Sequence, residues 1–278
     1  MDILALLQHL NPILSKTTIR QMGLVIAAVL AMTGRVTMLG ISRWTEEGGS
    51  YRTVQRFFDT SIAWAQVFWS FFHTHLEQTE AVYILAGDEC VVTKSGKRTH
   101  GLDRFFSSLF GKPVPGIALF ALSLIDVQGG RSYPVMTEQV VRTEEEKLAA
   151  KQKAQQRQTQ KKQGQEKRKP GRPKGSKNRN KAEVCPTPEL LRIQEMIKQF
   201  LLIAGQAIPL VYIALDGHFG NNNALQMVLQ CGLHLVSKLR CDSALYFVYQ
   251  GPDKQRKYGA RIDYANIPAE YFSTRHEN

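Results

Sequence analysis

Two aspartates in apolar surroundings are the residues of this chain whose type and spacing indicate chemistry. Asp88 lies within the run ILAGDECVV at residues 84–92, and Asp216 ends the run IPLVYIALD at residues 208–216. Both runs have the composition of buried strands, in which an unpaired charge is costly. Asp88 has strand-forming residues on both sides and therefore indicates a bound partner of opposite charge. Asp216 is followed by glycine, and such an Asp-Gly pair also commonly begins a turn or caps a helix.

A pair of carboxylates brought together by folding predicts a site for a divalent cation. The two aspartates are 216 − 88 = 128 residues apart, so only tertiary structure can bring them close. Two bare carboxylates at short range repel each other, whereas Mg²⁺ takes oxygen ligands and keeps waters that substrate phosphates can replace. Two such ions about 4 Å apart activate a water or a 3′-hydroxyl at a phosphodiester. From the residues alone, two interpretations stay open: the two aspartates share a metal ion, or Asp216 only begins a turn.

The order of the surrounding elements predicts that the two aspartates meet. Three strand-like runs are followed by a helical run with a glycine stop, the strand that ends at Asp216, a short helix and a further strand. In order these segments are residues 82–92, 116–127, 132–141, 188–205, 208–216, 223–230 and 233–239. This order is typical of an α/β fold, and a crossover through the first helix places the fourth strand parallel to the first. Asp88 and Asp216 then lie side by side.

The first eighty residues are predicted to be helical, because apolar residues recur there at spacings of three and four. Within this region the segment GISRWTEEGGSYRTVQRFFD has a Gly-Gly break, followed by Ser50 as the cap of a helix that carries Arg52, Gln55 and Arg56 on its outer face. Two interpretations are open. The segment is either a helix-turn-helix-like DNA reader or an amphipathic helix pair with a solvated polar side.

The positive charge of the chain is concentrated in one segment. Residues 151–181 contain 13 Lys or Arg and one acid, which accounts for the whole net charge of +12. Because this segment is almost free of apolar residues, it cannot form a core, and we expect a disordered basic insertion at about 145–187. Such a segment favours a polyanionic partner.

The chain carries no signal of secretion or of membrane insertion. Its longest apolar run, residues 22–32, is 11 residues long, and a membrane-spanning helix needs about 20. Its four cysteines form no CxxC pair, which argues against a disulfide framework and a zinc ribbon. We therefore expect no membrane partner and a cytoplasmic location.

Three segments together resemble a known family. GDECVVTKSGK at residues 87–97 and YIALDGHFGNNNAL at residues 212–225, behind the helical segment GISRWTEEGGSYRTVQRFF, resemble the DDE transposases of bacterial insertion sequences. The resemblance implies an RNase H-like mixed sheet with flanking helices, preceded by a helical N-terminal region. It divides the chain into residues 1–80, a possible DNA-binding region, and residues 81–278, a catalytic domain.

The resemblance also implies roles for individual residues. Asp88 and Asp216 would be the first and second catalytic aspartates and ligands of Mg²⁺ or Mn²⁺. Lys94 would contact a DNA phosphate, although a solvated lysine is the plainer interpretation, and His218 would orient the site or simply occupy a turn. The family's third acid is a glutamate on a helix well downstream, whereas this chain continues for only 278 − 216 = 62 residues past Asp216.

That tail offers poor candidates for the third acid. Its acids include Glu270 and Glu277, and Pro268 argues against a helix around Glu270. We therefore expect a catalytic domain that is incomplete at its C-terminus, as in an upstream reading frame completed by frameshifting or a decayed copy of an element.

Part of the basic segment resembles a second known motif. KRKPGRPKGSKNR at residues 167–179 is similar to the AT-hook, in which an extended Gly-Arg-Pro core lies in a narrow minor groove. Arg172 would be the inserted side chain. The flanking cations that would contact phosphates are Arg168, Lys169, Lys174, Lys177 and Arg179. The alternative is a solvated linker that binds polyanions without preference.

The resemblance thus implies a transposase that cleaves the ends of an insertion sequence with bound metal ions and joins the freed 3′-hydroxyl to target DNA. Its partners would be double-stranded DNA and a second copy of the chain, since two DNA ends must be handled together, and it would act at the nucleoid. Two alternatives stay open. One is a non-catalytic DNA-binding protein, a truncated transposase that inhibits the full-length enzyme; the other is a related nuclease with a different substrate.

Overall fold

The computed structural model describes residues 2–44, 50–96, 98–162, 186–239, 243–252 and 258–271. The helices are α1 (Ile3–Leu7), α2 (Lys16–Ala31), α3 (Met38–Trp44), α4 (Tyr51–Asp59), α5 (Trp64–His75), α6 (Glu144–Lys162), α7 (Pro188–Ala204) and α8 (Asn222–Gln230). The strands are β1 (Tyr83–Thr93), β2 (Asp103–Ser107), β3 (Lys112–Asp126), β4 (Arg131–Val140), β5 (Tyr212–Leu215), β6 (His234–Ser237), β7 (Tyr246–Val248) and β8 (Tyr258–Arg261).

The main sheet is mixed and has six strands in the order β2-β3-β1-β5-β6, with β4 also paired to β3. β1 and β4 run antiparallel to β3, whereas β5 runs parallel to both β1 and β6. The parallel pairing of β1 with β5, which α7 directly precedes in sequence, is the arrangement that the order of apolar runs predicts. Strands β7 and β8 form a separate antiparallel pair.

One face of the main sheet forms the core of the protein. Leu85, Phe120 and Ile213 from the sheet pack in one cluster with Ile197 and Phe200 of α7, and four of these five side chains are fully enclosed. Removing such a side chain from water contributes about 1.5–3 kcal/mol. α7 begins where Thr187 Oγ1 accepts the N–H of Leu190, so a capping residue positions the helix that supplies much of this core.

The N-terminal region is helical, as the sequence predicts. Helices α2, α3 and α4 pack together through Ala28, Ile41 and Val54, one from each helix. A second cluster, which includes Leu10 and Val67, joins the start of the chain to α5. Val54 and Phe57 point inward, and the outer surface of α4 carries Arg52 and Arg56 together with the exposed rings of Tyr51 and Phe58.

Helix α6 corrects one expectation. Disorder was expected for about 145–187, yet residues 144–162 form a helix. The helix lacks an apolar stripe, but its alanine, glutamine, lysine and glutamate residues have high intrinsic helix propensity. Its start is a capping box, in which Glu146 N–H donates to Thr143 Oγ1 at 3.2 Å and Thr143 N–H donates to Glu146 Oε2 at 2.8 Å. The remainder of the basic segment, residues 163–185, lies outside the described residues.

Within the described part of the chain, no helix has the length and apolar character needed to cross a membrane.

Candidate active site on two parallel strands

Asp88 lies in the middle of β1, on the face of the sheet that is turned away from the core. Side chains alternate between the two faces of a strand, and on β1 the buried positions are Tyr83, Leu85 and Gly87. Asp88 therefore faces the other way, and its side chain is exposed. The premise that this carboxylate is buried was wrong, because the second face of the sheet is open around it in the described structure.

Asp216 directly follows β5, the strand that runs parallel to β1. Leu85 pairs with Ile213, Ala86 with Ala214 and Gly87 with Leu215. Asp88 and Asp216 directly follow the last pair of this register, and Asp216 lies just beyond the end of β5. Extending the register by one residue makes the two aspartates neighbours on the open face of the sheet, because partners in register share a face. Two residues that are 128 positions apart in sequence thus belong to neighbouring strands of one sheet.

The loop after β5 is held in place by short-range hydrogen bonds. The backbone N–H of His218 donates to Asp216 Oδ1 at 3.1 Å, and a single 3₁₀ turn, Gly217–Phe219, follows. Ser237 at the end of β6 donates its hydroxyl to the backbone oxygen of Asp216 at 2.7 Å. Asp216 therefore does cap a turn, as its Asp-Gly context indicates. The bond from His218 also orients the Asp216 carboxylate, and the bond from Ser237 holds its backbone at the end of β5.

The oxygen atoms of this pair suit a hard divalent cation. Both carboxylates are exposed, and no ion pair to either one is found among the described residues. Two adjacent negative charges without a cationic side chain repel each other, and a divalent cation between them removes that repulsion. Two protein ligands also leave coordination positions for waters and phosphate oxygens, as Mg²⁺ prefers.

A third acidic ligand is not found in the described part of the chain, where no three His, Cys, Asp or Glu side chains are grouped to hold a metal ion. Glu270 lies in a three-residue 3₁₀ helix, Ala269–Tyr271, beyond β8. This agrees with the expectation from Pro268 that no α-helix forms around Glu270. Glu277 lies outside the described residues.

Glu89, the other carboxylate of the ILAGDECVV run, serves a different part of the molecule. It follows Asp88 by one residue and so points to the helix-covered face of the sheet, where it lines a cavity of about 570 Å³ under the N-terminus of α7. Partial burial in this cavity and the nearby carboxylate of Glu189 raise the pKa of Glu89. Glu189 also lies 3.7 Å from the His218 ring nitrogen Nε2. The alternation of side chains along a strand was sufficient to predict that Glu89 and Asp88 lie on opposite faces of the sheet.

Ion pairs between elements close the far side of the cavity. Arg192 on α7 lies 3.1 Å from Glu146 on α6, and Arg142 lies 3.4 Å from Asp103 on β2. The guanidinium of Arg142 also lies over the ring of Phe105, 4.6 Å from its centre. These contacts join α6, α7 and β2 on the side of the sheet opposite the two aspartates.

The candidate DNA contacts fall into three places. Lys94 is exposed just beyond β1, where its backbone N–H donates to Pro115 O at 3.1 Å. Arg52 and Arg56 are exposed on α4. The basic residues of the AT-hook-like motif, Arg168, Lys169, Arg172, Lys174, Lys177 and Arg179, lie outside the described residues.

Comparison with known proteins identifies the family. No curated protein matches the sequence. The model of a family described as DDE superfamily endonuclease matches residues 6–271, which is nearly the whole chain. The match confirms the resemblance to DDE transposases, and the mixed sheet behind a helical N-terminal region is the RNase H-like architecture that the resemblance predicts. Enzymes of this family act on DNA and generally depend on divalent metal ions. The chain belongs to the DDE superfamily endonucleases.

Proposed function

We propose that this protein is a DNA transposase that cleaves phosphodiester bonds at the ends of an insertion sequence and transfers the freed 3′-hydroxyl to target DNA. The observation that supports the proposal most directly is the register of β1 and β5, whose last pair, Gly87 with Leu215, directly precedes Asp88 and Asp216. In this proposal residues 1–80 form a DNA-binding region and residues 81–278 the catalytic domain. The protein acts in the cytoplasm at the nucleoid.

Asp88 and Asp216 would hold Mg²⁺ or Mn²⁺. Bound there, the metal ions supply an activated water or 3′-hydroxyl on one side of the phosphodiester and stabilise the leaving oxygen on the other. The contribution of the protein is placement. β1 and β5 fix the carboxylates, the N–H of His218 orients Asp216, and the exposed face leaves room for a DNA backbone to approach.

Three sets of basic residues would bind the DNA. Lys94 lies beyond the end of the same strand as Asp88, six residues further on, and would contact a phosphate near the reacting one. Arg52 and Arg56 would contact the duplex from α4, and the basic residues centred on Arg172 would add further phosphate or minor-groove contacts. A dimer would bring two element ends together.

The proposal is tested by incubating the purified chain with supercoiled plasmid that carries the element's ends. We expect nicks with 3′-hydroxyl ends in Mg²⁺ and none in EDTA. Joining of those ends to a second plasmid would support strand transfer. DNA binding without any cleavage in Mg²⁺ or Mn²⁺ would instead favour the non-catalytic inhibitor. Cleavage without joining would favour a related nuclease.

The role of α4 gives a separate prediction. The double substitution Arg52→Ala and Arg56→Ala should weaken binding to a short duplex and lower the slope of log Kd against log salt by about 1.8, since each phosphate contact contributes about 0.9. Fluorescence anisotropy over a salt titration measures both quantities. Lys198→Ala, which removes an exposed cation from α7, is the matched control. An unchanged salt slope in the double variant would show that α4 does not contact DNA.

A further inference from the structure

An apolar, exposed hairpin tip lies beyond the candidate active site. Strands β2 and β3 pair as far as Ser107 and Lys112, and the four residues between them form the turn. Turns are normally built from Gly, Pro, Asn, Asp and Ser. Here two of the four turn residues are Leu109 and Phe110, and their side chains are 84% and 52% exposed. Phe106 on the adjoining strand is 63% exposed.

The hairpin is held by packing and hydrogen bonds, so the exposure of these side chains is a property of a well-ordered turn. Phe105 is 2% exposed and packs toward the body of the protein, while Phe106 points the other way. Arg104 Nη2 donates to Pro113 O at 2.9 Å across the two strands. Gly111 closes the turn with a φ of +61°, a conformation that side chains disfavour. The glycine in this left-handed conformation thus allows a tight turn in which Leu109 and Phe110 are exposed to solvent.

The tip lies at the end of the sheet toward which the two aspartate-bearing strands run. β1 and β5 both run toward this end, and β3 continues past the end of β1, from Gly116 opposite Thr93 to Lys112. Asp88 is opposite Ala121, so Lys112 is 121 − 112 = 9 residues further along β3. At about 3.3 Å per residue this is roughly 30 Å. A duplex rises about 3.4 Å per base pair, so for a duplex that lies parallel to β3 this distance corresponds to about nine base pairs.

The charges around the tip are those of a surface that meets phosphates. Residues 94–115 contain five Lys or Arg and one acid, Asp103, which is engaged by Arg142. Arg104 and Lys112 are exposed on the two strands of the hairpin, and Arg98 is exposed in the loop that precedes β2. A second copy of the chain is a poorer partner for this surface. Three side chains expose at most roughly a few hundred Å², whereas a stable dimer buries about 800 Å² on each partner.

We propose that Phe106, Leu109 and Phe110 form an apolar wedge that enters between base pairs of the bound duplex, about nine base pairs from the scissile phosphate. Phe and Leu are the side chains that DNA-bending proteins insert in this way, and the flanking cations hold the backbone on either side. The wedge rests on the proposed function, because it requires that the chain bind double-stranded DNA. It adds to that function a site at which the protein distorts the DNA.

The test compares two labelled duplexes of one sequence, one fully paired and one with a single central mismatch, by fluorescence anisotropy in Ca²⁺. A wedge prefers the mismatched duplex, where part of the few kcal/mol of unstacking has already been lost, and we expect a preference of about fivefold or more. The double substitution Leu109→Ser and Phe110→Ser should abolish the preference. It should leave affinity for the paired duplex within about twofold, because the cations are kept.

The control and the contrary outcomes separate the wedge from the proposed function. Leu202→Ser removes a leucine from α7 that is also 84% exposed and should keep the preference. Wild-type protein that binds both duplexes equally would overturn the wedge and leave DNA binding intact. Wild-type protein that binds neither duplex would overturn the proposed function as well. A wild-type dimer that becomes monomeric in the double variant would assign the tip to a second copy of the chain and overturn the wedge.

Discussion

The substitution Asp88→Asn should reduce metal-dependent DNA cleavage by at least about a thousandfold, because metal ions contribute several kcal/mol to such reactions and each 1.4 kcal/mol is a factor of ten. Asparagine has nearly the size and shape of aspartate, and Asp88 is exposed, so the fold should be unaffected. What is lost is one of two adjacent negative charges that favour a divalent cation. Asp216→Asn should have an effect of the same order, since Asp216 is the next residue in register.

Glu89→Gln is the matched control for Asp88→Asn. It makes the same chemical change one residue away, but Glu89 lies on the opposite face of the strand, in the cavity beneath α7. Cleavage should persist in this variant. If Glu89→Gln and Asp88→Asn were equally inactive, the assignment of the two carboxylates to separate faces with separate roles would be wrong.

Metal binding gives a second readout for Asp88→Asn that does not depend on activity. A ligand at ten times its Kd stabilises the folded state by about 1.4 kcal/mol. Addition of Mg²⁺ or Mn²⁺ should therefore raise the unfolding temperature of the wild-type protein and of Glu89→Gln, but not of Asp88→Asn. Equal stabilisation of all three proteins would place the metal elsewhere.

The pairing of the two aspartate-bearing strands could be predicted because it follows from the order of apolar and helical runs along the chain, which the sequence shows clearly. Apolar runs around Asp88 and before Asp216, with a helix of the right length between them, admit few arrangements. The face on which Asp88 lies was harder to infer. A run such as ILAGDECVV has the composition of a strand that is buried on both faces. Only the tertiary structure shows that, among the described residues, one face of β1 packs on the core and the face that carries Asp88 is exposed.

Strand β2 was missed for a local reason. Its partner segment in β3 contains Pro113 and Pro115, and proline within a run normally argues against a strand. The structure accommodates both residues because β1 ends opposite Gly116. Lys94 N–H donates to Pro115 O, which shows that the polar groups of Pro115 point to the β1 side and not to β2. The prolines thus occupy an edge where few ladder hydrogen bonds are lost. Sequence patterns do not record which edge of a strand is free.

Helix α6 was missed because its sequence has no apolar stripe, and helix propensity and a capping box favour it instead. Periodicity detects a helix only when one side of it is apolar. The residues Thr143 and Glu146, at the spacing of a capping box, were the available signal. Their bonds, with the ion pair from Glu146 to Arg192, fix the start of the helix against α7.

Gly87 should be the position in β1 that least tolerates a side chain. A Cβ atom built there would lie 2.8 Å from Phe120 Cζ and 2.9 Å from Leu215 Cδ2. Both neighbours are 5% exposed or less and have little room to move. Gly87→Val should therefore destabilise the protein by about 1–3 kcal/mol, the usual cost of overpacking, as measured by urea unfolding. It should also lower cleavage, because Gly87 and Leu215 are the last register pair before the two aspartates.

The source of that destabilisation can be isolated with a second substitution. Leu215→Ala alone should cost about 2–5 kcal/mol because it leaves a cavity. In the Gly87→Val background the valine would fill part of this space, so the double variant should lose clearly less stability than the sum of the two single variants. Gly96→Val is the control, since a Cβ at Gly96 would have its nearest contact at 3.5 Å, an ordinary distance. Additive losses would mean that Gly87 is required for some reason other than its fit between Phe120 and Leu215.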